Sequence, residues 1–270
     1  MLHRLLITIL LAVPALLNAR PNLHFFAHRG CWSVNAANEF IIPENSIAAV
    51  QQAAVMGYEG IECDVRYTQD GKMVIMHDKT INRTMRKAAD YSAIEVPVKV
   101  EDMMFEELRS EYVLASTNPE LRTPIPTLEE LLMECKKMGI VPMLHSRIVE
   151  SYKLAQKIMG DNWVCFDGKF EAIVQAREFS QCTILWSPSK QFINEAGDDL
   201  LPQIIRYLEQ IGGKCGISTM TYRLYTPVFI KALTDANYLV QASIFPAIPE
   251  AEAVKNGITH LLTDRVRPTK

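Results

Sequence analysis

Along this chain, short apolar runs alternate with longer stretches in which apolar residues recur every three to four positions. The short runs occupy 23–27, 60–65, 140–144, 163–166, 183–186, 214–218, 238–244 and 260–263. That is the length and composition of strands covered on both faces. The longer stretches begin near Ser46, Thr127, Ile148, Phe170, Asp198, Thr226 and Pro249 and read as helices. Local signals support two of them in particular. Asn45 or Ser46 caps a helix over 47–56 that Gly57 closes, and Thr127-Leu-Glu-Glu130 is a capping box ahead of a helix that stops at Gly139. Eight strands with helices between them predict a (β/α)8 TIM barrel. A doubly wound parallel sheet has the same alternation, since strand number does not prove closure.

Two segments depart from this rhythm. Residues 66–126 separate the second strand from its helix and contain Asp70-Gly71, a hairpin signal, and then Pro97, Pro119, Pro124 and Pro126. We read them as a small insertion on the barrel, within one domain over 20–270. The N-terminus, MLHRLLITILLAVPALLNA, pairs a short basic start with an apolar run and ends on a small residue at Ala19. This is the pattern of a secretory signal over 1–19, which implies an exported protein, periplasmic or extracellular. The run falls short of the ~20 residues of a transmembrane helix, and no later stretch qualifies.

Composition narrows the function classes. Lys and Arg total 28 and Asp and Glu 31, for a formal charge of −3, so no basic excess invites nucleic acid. The six cysteines, Cys31, Cys63, Cys135, Cys165, Cys182 and Cys215, form no Cys-x-x-Cys pair and predict neither zinc nor dithiol chemistry.

Candidate chemistry collects where barrel strands end, because a barrel's functional groups gather at that face. The strand ends carry His28-Arg29-Gly30, Glu62-Cys63-Asp64 and His145-Ser146-Arg147, and finally Asp264-Arg265. Side chains alternate along a strand, so Glu62 and Asp64 share one face and Ile61, Cys63 and Val65 the other. With the apolar set against the helices, both carboxylates point inward and call for a cation. If Asp70 and Gly71 form a two-residue turn, Gln69 faces Lys72 and, five positions further from the turn, Asp64 faces His77 at roughly 5 Å. Arg29 can fork onto a phosphate or be held by Glu44.

The ordered set His28-Arg29-Gly30, Pro43-Glu44-Asn45-Ser46, Glu62-Cys-Asp64-Val65, Thr68-Gln-Asp70-Gly71, His77-Asp78, Arg83-Thr84, Pro126-Thr127-Leu128-Glu129 and Thr263-Asp264-Arg265 resembles the glycerophosphodiester phosphodiesterase family. The resemblance implies a TIM barrel that hydrolyses small phosphodiesters to glycerol 3-phosphate and an alcohol with a divalent cation, Ca²⁺ or Mg²⁺. It makes His28 and His77 the acid/base pair, Glu62 and Asp64 metal ligands, and Arg29 a phosphate ligand. The sequence departs from the family at 144–147. A Glu-x-Lys is usual there, and Leu-His-Ser-Arg stands in its place. His145 then becomes a candidate metal ligand that favours a softer divalent ion, and Arg147 a candidate phosphate ligand. Two other readings remain open: a ligand-binding barrel with its chemistry impaired, and a related phospholipase acting on intact lipid. Trp32, Trp163, Trp186 and Tyr222 are candidates for shaping the pocket.

Overall fold

The computed structural model describes residues 23–219, 226–244, 255–264 and 268. The expected export segment, Tyr222, Arg265 and the start of the helix expected at Pro249 lie outside these residues.

The first half of the chain runs β1 (His24–Ala27), β2 (Ser33–Val34), β3 (Phe40–Ile42), α1 (Ile47–Val55), β4 (Gly60–Tyr67), β5 (Met73–Ile75), β6 (Met85–Lys87), α2 (Phe105–Glu111), β7 (Tyr112–Leu114), α3 (Leu128–Met138) and β8 (Val141–His145). The second half runs α4 (Val149–Met159), β9 (Val164–Asp167), α5 (Phe170–Arg177), β10 (Thr183–Trp186), α6 (Lys190–Ala196), α7 (Leu200–Ile211), β11 (Cys215–Thr219), α8 (Pro227–Asp235), β12 (Leu239–Ile244) and β13 (His260–Thr263). Strands β1, β13, β12, β11, β10, β9, β8 and β4 pair in that order, all parallel. β1 pairs also with β4, setting Ala27 beside Ile61. That pairing closes the sheet into a barrel and excludes the doubly wound alternative.

The alternation expected of β4 decides which side chains face the site. Ile61, Cys63 and Val65 join the apolar layer between strands and helices, together with Leu131, Leu132 and Tyr152. The barrel interior is filled separately by Phe26, Met143, Val164, Phe166, Leu185 and Leu262. Gly60 is required there, since a Cβ on it would collide with the Phe26 ring and the Val141 carbonyl. Helix starts follow the expected caps. Ser46 Oγ accepts from Ala49 N at 3.0 Å, and Thr127 and Glu130 form the reciprocal capping box. Helix α6 was not expected; its apolar residues are few, and its start rests on the Ser189 cap of Phe192 N.

The insertion begins as an extension of the barrel wall, with β4 continuing antiparallel to β5. It then adds the β6–β7 ladder and α2 around an apolar cluster of its own, which includes Val74, Ile81, Met85, Leu108, Leu114 and Ile125.

The hairpin register differs from expectation by one residue. Val65 lies opposite Ile75, Arg66 opposite Val74 and Tyr67 opposite Met73. Thr68 N donates to the Lys72 carbonyl at 2.9 Å and Gly71 N to the Thr68 carbonyl at 3.0 Å, so the loop holds three residues, Gln69, Asp70 and Gly71. Gly71 has φ +77° while Asp70 does not take a positive φ. The Asp-Gly pair therefore makes a turn closed by a glycine bulge, where a two-residue turn would need both residues left-handed. Met76 then stands opposite Asp64, donating its N–H to the Asp64 carbonyl at 2.9 Å, and His77 falls past the end of β5.

Candidate active site

The site is assembled at the C-terminal rim of neighbouring strands. Glu62 and Asp64 are the inward residues of β4, and the parallel register sets Asp64 beside His145 at the end of β8. His145 Nδ1 lies 3.2 Å from Asp64 Oδ1 and 3.5 Å from Glu62 Oε1, and its Nε2 lies 3.5 Å from Asp167 Oδ2. The ring stacks on Phe166 with centroids 4.8 Å apart. One ligand atom from each of Glu62, Asp64 and His145 falls within 4.8 Å of the other two. Burial opposes the charge on His145, but its bonds to Asp64 and Glu62 prevail and push its pKa up to about 10, which favours the protonated imidazole beside these carboxylates. Burial likewise pushes the Asp64 carboxyl up. The bond from His145, the charges of His145 and His77, and the bond from Asn45 outweigh it and leave that carboxyl below its ordinary value.

The turn after β1 supplies the next layer. Arg29 has φ 58°, a left-handed conformation that costs a residue with a Cβ about 1–2 kcal/mol. The turn aims the Arg29 N–H at Glu62 Oε2, 3.0 Å away. Gly30 follows with φ +78°, and a Cβ there would sit 2.6 Å from that of Ala49, so only glycine lets this turn lie against α1. The Arg29 side chain donates to Glu44 Oε1 at 3.1 Å. Its Nε is buried with no hydrogen-bond partner among the described residues and lies 3.8 Å from Asp64 Oδ2. Asn45, also left-handed at φ 52°, donates Nδ2 to Asp64 Oδ2 at 3.1 Å.

Each candidate histidine has its Nδ1 on a carboxylate. His28 Nδ1 lies 2.9 Å from Asp264 Oδ1, which also accepts Trp32 Nε1 at 3.0 Å. Burial pulls the His28 pKa down; the Asp264 bond and the charges of Glu62 and Asp264 push it up, and the net is raised. His77 Nδ1 lies 2.7 Å from Asp78 Oδ1. Arg83 donates Nε to Asp78 Oδ2 at 2.7 Å and its other nitrogens to the buried Glu44 at 2.8 and 2.7 Å. A continuous chain of charged groups thus runs from His77 through Asp78, Arg83 and Glu44 to Arg29. The His77 carbonyl accepts from Arg66 Nε at 3.1 Å, which pins the segment after β5 that the turn geometry left free of pairing.

The structure therefore brings together Glu62, Asp64, His145 and Arg29, and places His77 near enough for its charge to act on Asp64, by a different route from the expected cross-strand pairing. Arg147 is exposed, and its Nε donates to Asp167 Oδ1 at 3.1 Å. Asp167 is the residue that sequence reasoning missed. It is buried against His145 and Arg147 and accepts from Lys169 N at 2.6 Å. Its signal was a charged residue closing an apolar run at the C-terminal end of a barrel strand, masked by the turn-like Asp-Gly-Lys. Trp163 and Trp186 belong to the apolar layer outside the strands, stacked on Tyr152 and Tyr207 respectively. Cys63, Cys135, Cys165, Cys182 and Cys215 are buried thiols.

The model of the glycerophosphoryl diester phosphodiesterase family matches residues 28–165, from His28 into the fourth barrel strand, β9. The chain belongs to that family. Among its relatives, mouse glycerophosphodiester phosphodiesterase 1 is 35% identical over 129 residues, 46% of this chain and 34% of the mouse protein. A glycerophosphodiester phosphodiesterase of Caldanaerobacter subterraneus is 47% identical over 58 residues, 22% of this chain and 21% of that one. The matched region thus spans about a third or less of these two relatives' lengths. A phosphodiesterase structure from Oleispira antarctica, solved in complex with the product sn-glycerol-3-phosphate, superimposes with a TM-score of 0.65 at 19% identity, covering 89% of this chain and 92% of that one. A Silicibacter pomeroyi structure described as a putative glycerophosphoryl diester phosphodiesterase gives a TM-score of 0.68 at 17% identity and covers 90% of each chain. Likeness at this level of identity establishes the barrel.

Proposed function

We propose that this member of the family hydrolyses small glycerophosphodiesters to glycerol 3-phosphate and an alcohol, with a divalent ion and with His28 and His77 as the acid/base pair. The observation that carries the reading is the meeting at one barrel rim of two buried carboxylates, an imidazole and a buried arginine Nε with no hydrogen-bond partner among the described residues, beside two histidines each anchored through Nδ1.

The donor set fits a divalent ion. Two like charges buried side by side need a cation, and the raised pKa of His145 is the response of that imidazole to them. Neutral His145 with Glu62 and Asp64 would hold an ion through one nitrogen and two carboxylates, a mixture better suited to Mn²⁺ or another borderline ion than to Ca²⁺. A bound ion supplies positive charge to the phosphate oxygens. The remaining steps fall to the protein's own groups. Arg29 Nε donates to a phosphate oxygen, and Glu44 holds its guanidinium in place. One histidine takes a proton from the attacking water, the water oxygen bonds to phosphorus as the bond from phosphorus to the alcohol oxygen breaks, and the other histidine protonates the departing alkoxide. Asp264 and Asp78 fix the proton on each Nδ1, which assigns proton traffic to Nε2.

The test is turnover of glycerophosphodiesters by purified protein, followed as released glycerol 3-phosphate. We expect activity that a chelator abolishes and Mn²⁺ restores, and losses of about 10²–10⁴-fold in His28→Ala and His77→Ala with unchanged thermal unfolding. Near-native turnover in either variant would refute the acid/base assignment. We also infer that residues 1–19 direct export; a secreted or periplasmic product beginning at Arg20 is the expected result of N-terminal mass analysis.

A further inference from the structure

Beside the candidate active site lies a cavity of about 510 Å³, within the size range of small-molecule pockets. One wall comes from the loop after β1, with Trp32 and Phe40; the other comes from the insertion, with Arg83, Arg86, Tyr91 and Arg122. The walls are stapled together, Ser116 Oγ donating to the Ile41 carbonyl and Thr117 N to the Phe40 carbonyl, each at 2.7 Å. Tyr91 and Arg122 are locked as well. The Tyr91 hydroxyl donates to the Ser116 carbonyl and accepts from Ser116 N, and Arg122 Nε donates to the same carbonyl at 3.0 Å with its guanidinium 3.7 Å from the Tyr91 ring centroid.

Two lining residues belong to the candidate site's own framework. Trp32 donates to the carboxylate that holds His28, and Arg83 to the carboxylate that holds His77. Two of its lining side chains thus hydrogen-bond the carboxylates that hold the histidines assigned to proton transfer, and the alcohol half of a bound diester leaves from those histidines.

The lining also states which alcohol fits. Aromatic walls alone would suit a quaternary ammonium. Here the face of Tyr91 is covered by a guanidinium. Among the described residues the lining holds three guanidinium groups against one carboxylate, Glu39. Arg83 is neutralised by Glu44 and Asp78. Arg86, which donates to the Met85 carbonyl, and Arg122 have no carboxylate partner among the described residues. We propose that this cavity is a head-group subsite for an anionic alcohol, one that carries a phosphate or carboxylate of its own, and that Arg86 and Arg122 read that charge. The proposal rests on the diesterase reading for its substrate, and on the cavity alone for its anion.

The experiment has two arms. In the first, kcat/KM is compared for glycerophosphocholine and glycerophosphoinositol 4-phosphate, which share the glycerol 3-phosphate half. The expected result is at least a tenfold preference for the anionic substrate, reduced about tenfold in Arg86→Gln and, as a second variant, Arg122→Gln. Preference for the choline diester, or equal losses on both substrates, overturns the subsite. In the second arm, binding of inositol 4-phosphate, the alcohol this cleavage would release, is followed by Trp32 fluorescence, with Trp32→Phe as the blank and inorganic phosphate as the competitor. Saturable binding that weakens about tenfold in Arg86→Gln supports an anionic alcohol site even if no diester is hydrolysed, in which case the diesterase reading alone fails. Absence of binding, or phosphate binding as tightly as inositol 4-phosphate, rejects the alcohol subsite even if diesters turn over.

Discussion

At the scale of single residues, the two histidines differ in how they are held. Asp264 receives both the His28 imidazole and the Trp32 indole, so Asp264→Ala frees the His28 ring to rotate and leaves the indole N–H without its acceptor. We expect kcat to fall by about 10²-fold with little change in KM, the signature of a misoriented proton-transfer group. Trp32→Phe removes one donor to Asp264 and keeps a ring against Phe40, so its loss in kcat is smaller, about tenfold or less. In the proposed reading, His145 sets the ion preference. His145→Glu makes the donor set all oxygen, and we expect calorimetric titration to show Mg²⁺ or Ca²⁺ binding tighter relative to Mn²⁺ than in the parent. Glu62, Asp64 and His145 were legible from strand alternation and strand ends, since burial on one face leaves those side chains a single direction. Asp167 was not, because one charged residue after an apolar run reads equally well as a turn.

At the scale of elements, caps were the most legible feature and register the least. A cap is a local exchange of hydrogen bonds among four residues, so Thr127-x-x-Glu130 announces itself. Thr127→Ala removes the acceptor for Glu130 N and should cost about 1 kcal/mol, read from the urea midpoint at constant slope. The Asp70-Gly71 hairpin shows the opposite case. Two turn types accept the same dipeptide, and the choice between them rests on Thr68, whose hydroxyl donates to Asp70 Oδ1 at 2.7 Å and accepts from Lys72 N at 3.0 Å. That choice moves His77 out of the strand ladder. It reaches the charge network through Asp78 instead, a contact that a pairing rule does not contain. Gly71→Ala, at φ +77° with open space around it, should cost about 1 kcal/mol through backbone strain alone.

At the scale of the whole molecule, the eight runs were legible, their ends falling within a few residues of the observed strands, whereas closure was not, and the β1–β4 pairing supplies it. The N-terminal ends of the strands carry a separate ionisable group. His260 is buried against His24, ring centroids 4.6 Å apart, and burial together with the charges of His24 and Lys214 pushes its pKa down to about 3. The unfolded chain therefore binds a proton that the native state refuses, and stability falls as pH drops below about 6.5. Between pH 7 and pH 5 the loss from this one group approaches 2 kcal/mol. His260→Phe should flatten the denaturation midpoint over that range, while the parent midpoint declines. The insertion's apolar nucleus adds a final consequence. Because Val74, Ile81, Met85 and Leu114 pack among themselves, apart from the residues that fill the cylinder, the chain can be rebuilt on that side, arginine by arginine, to welcome a different alcohol. The charged rim at the strand ends would keep its shape throughout.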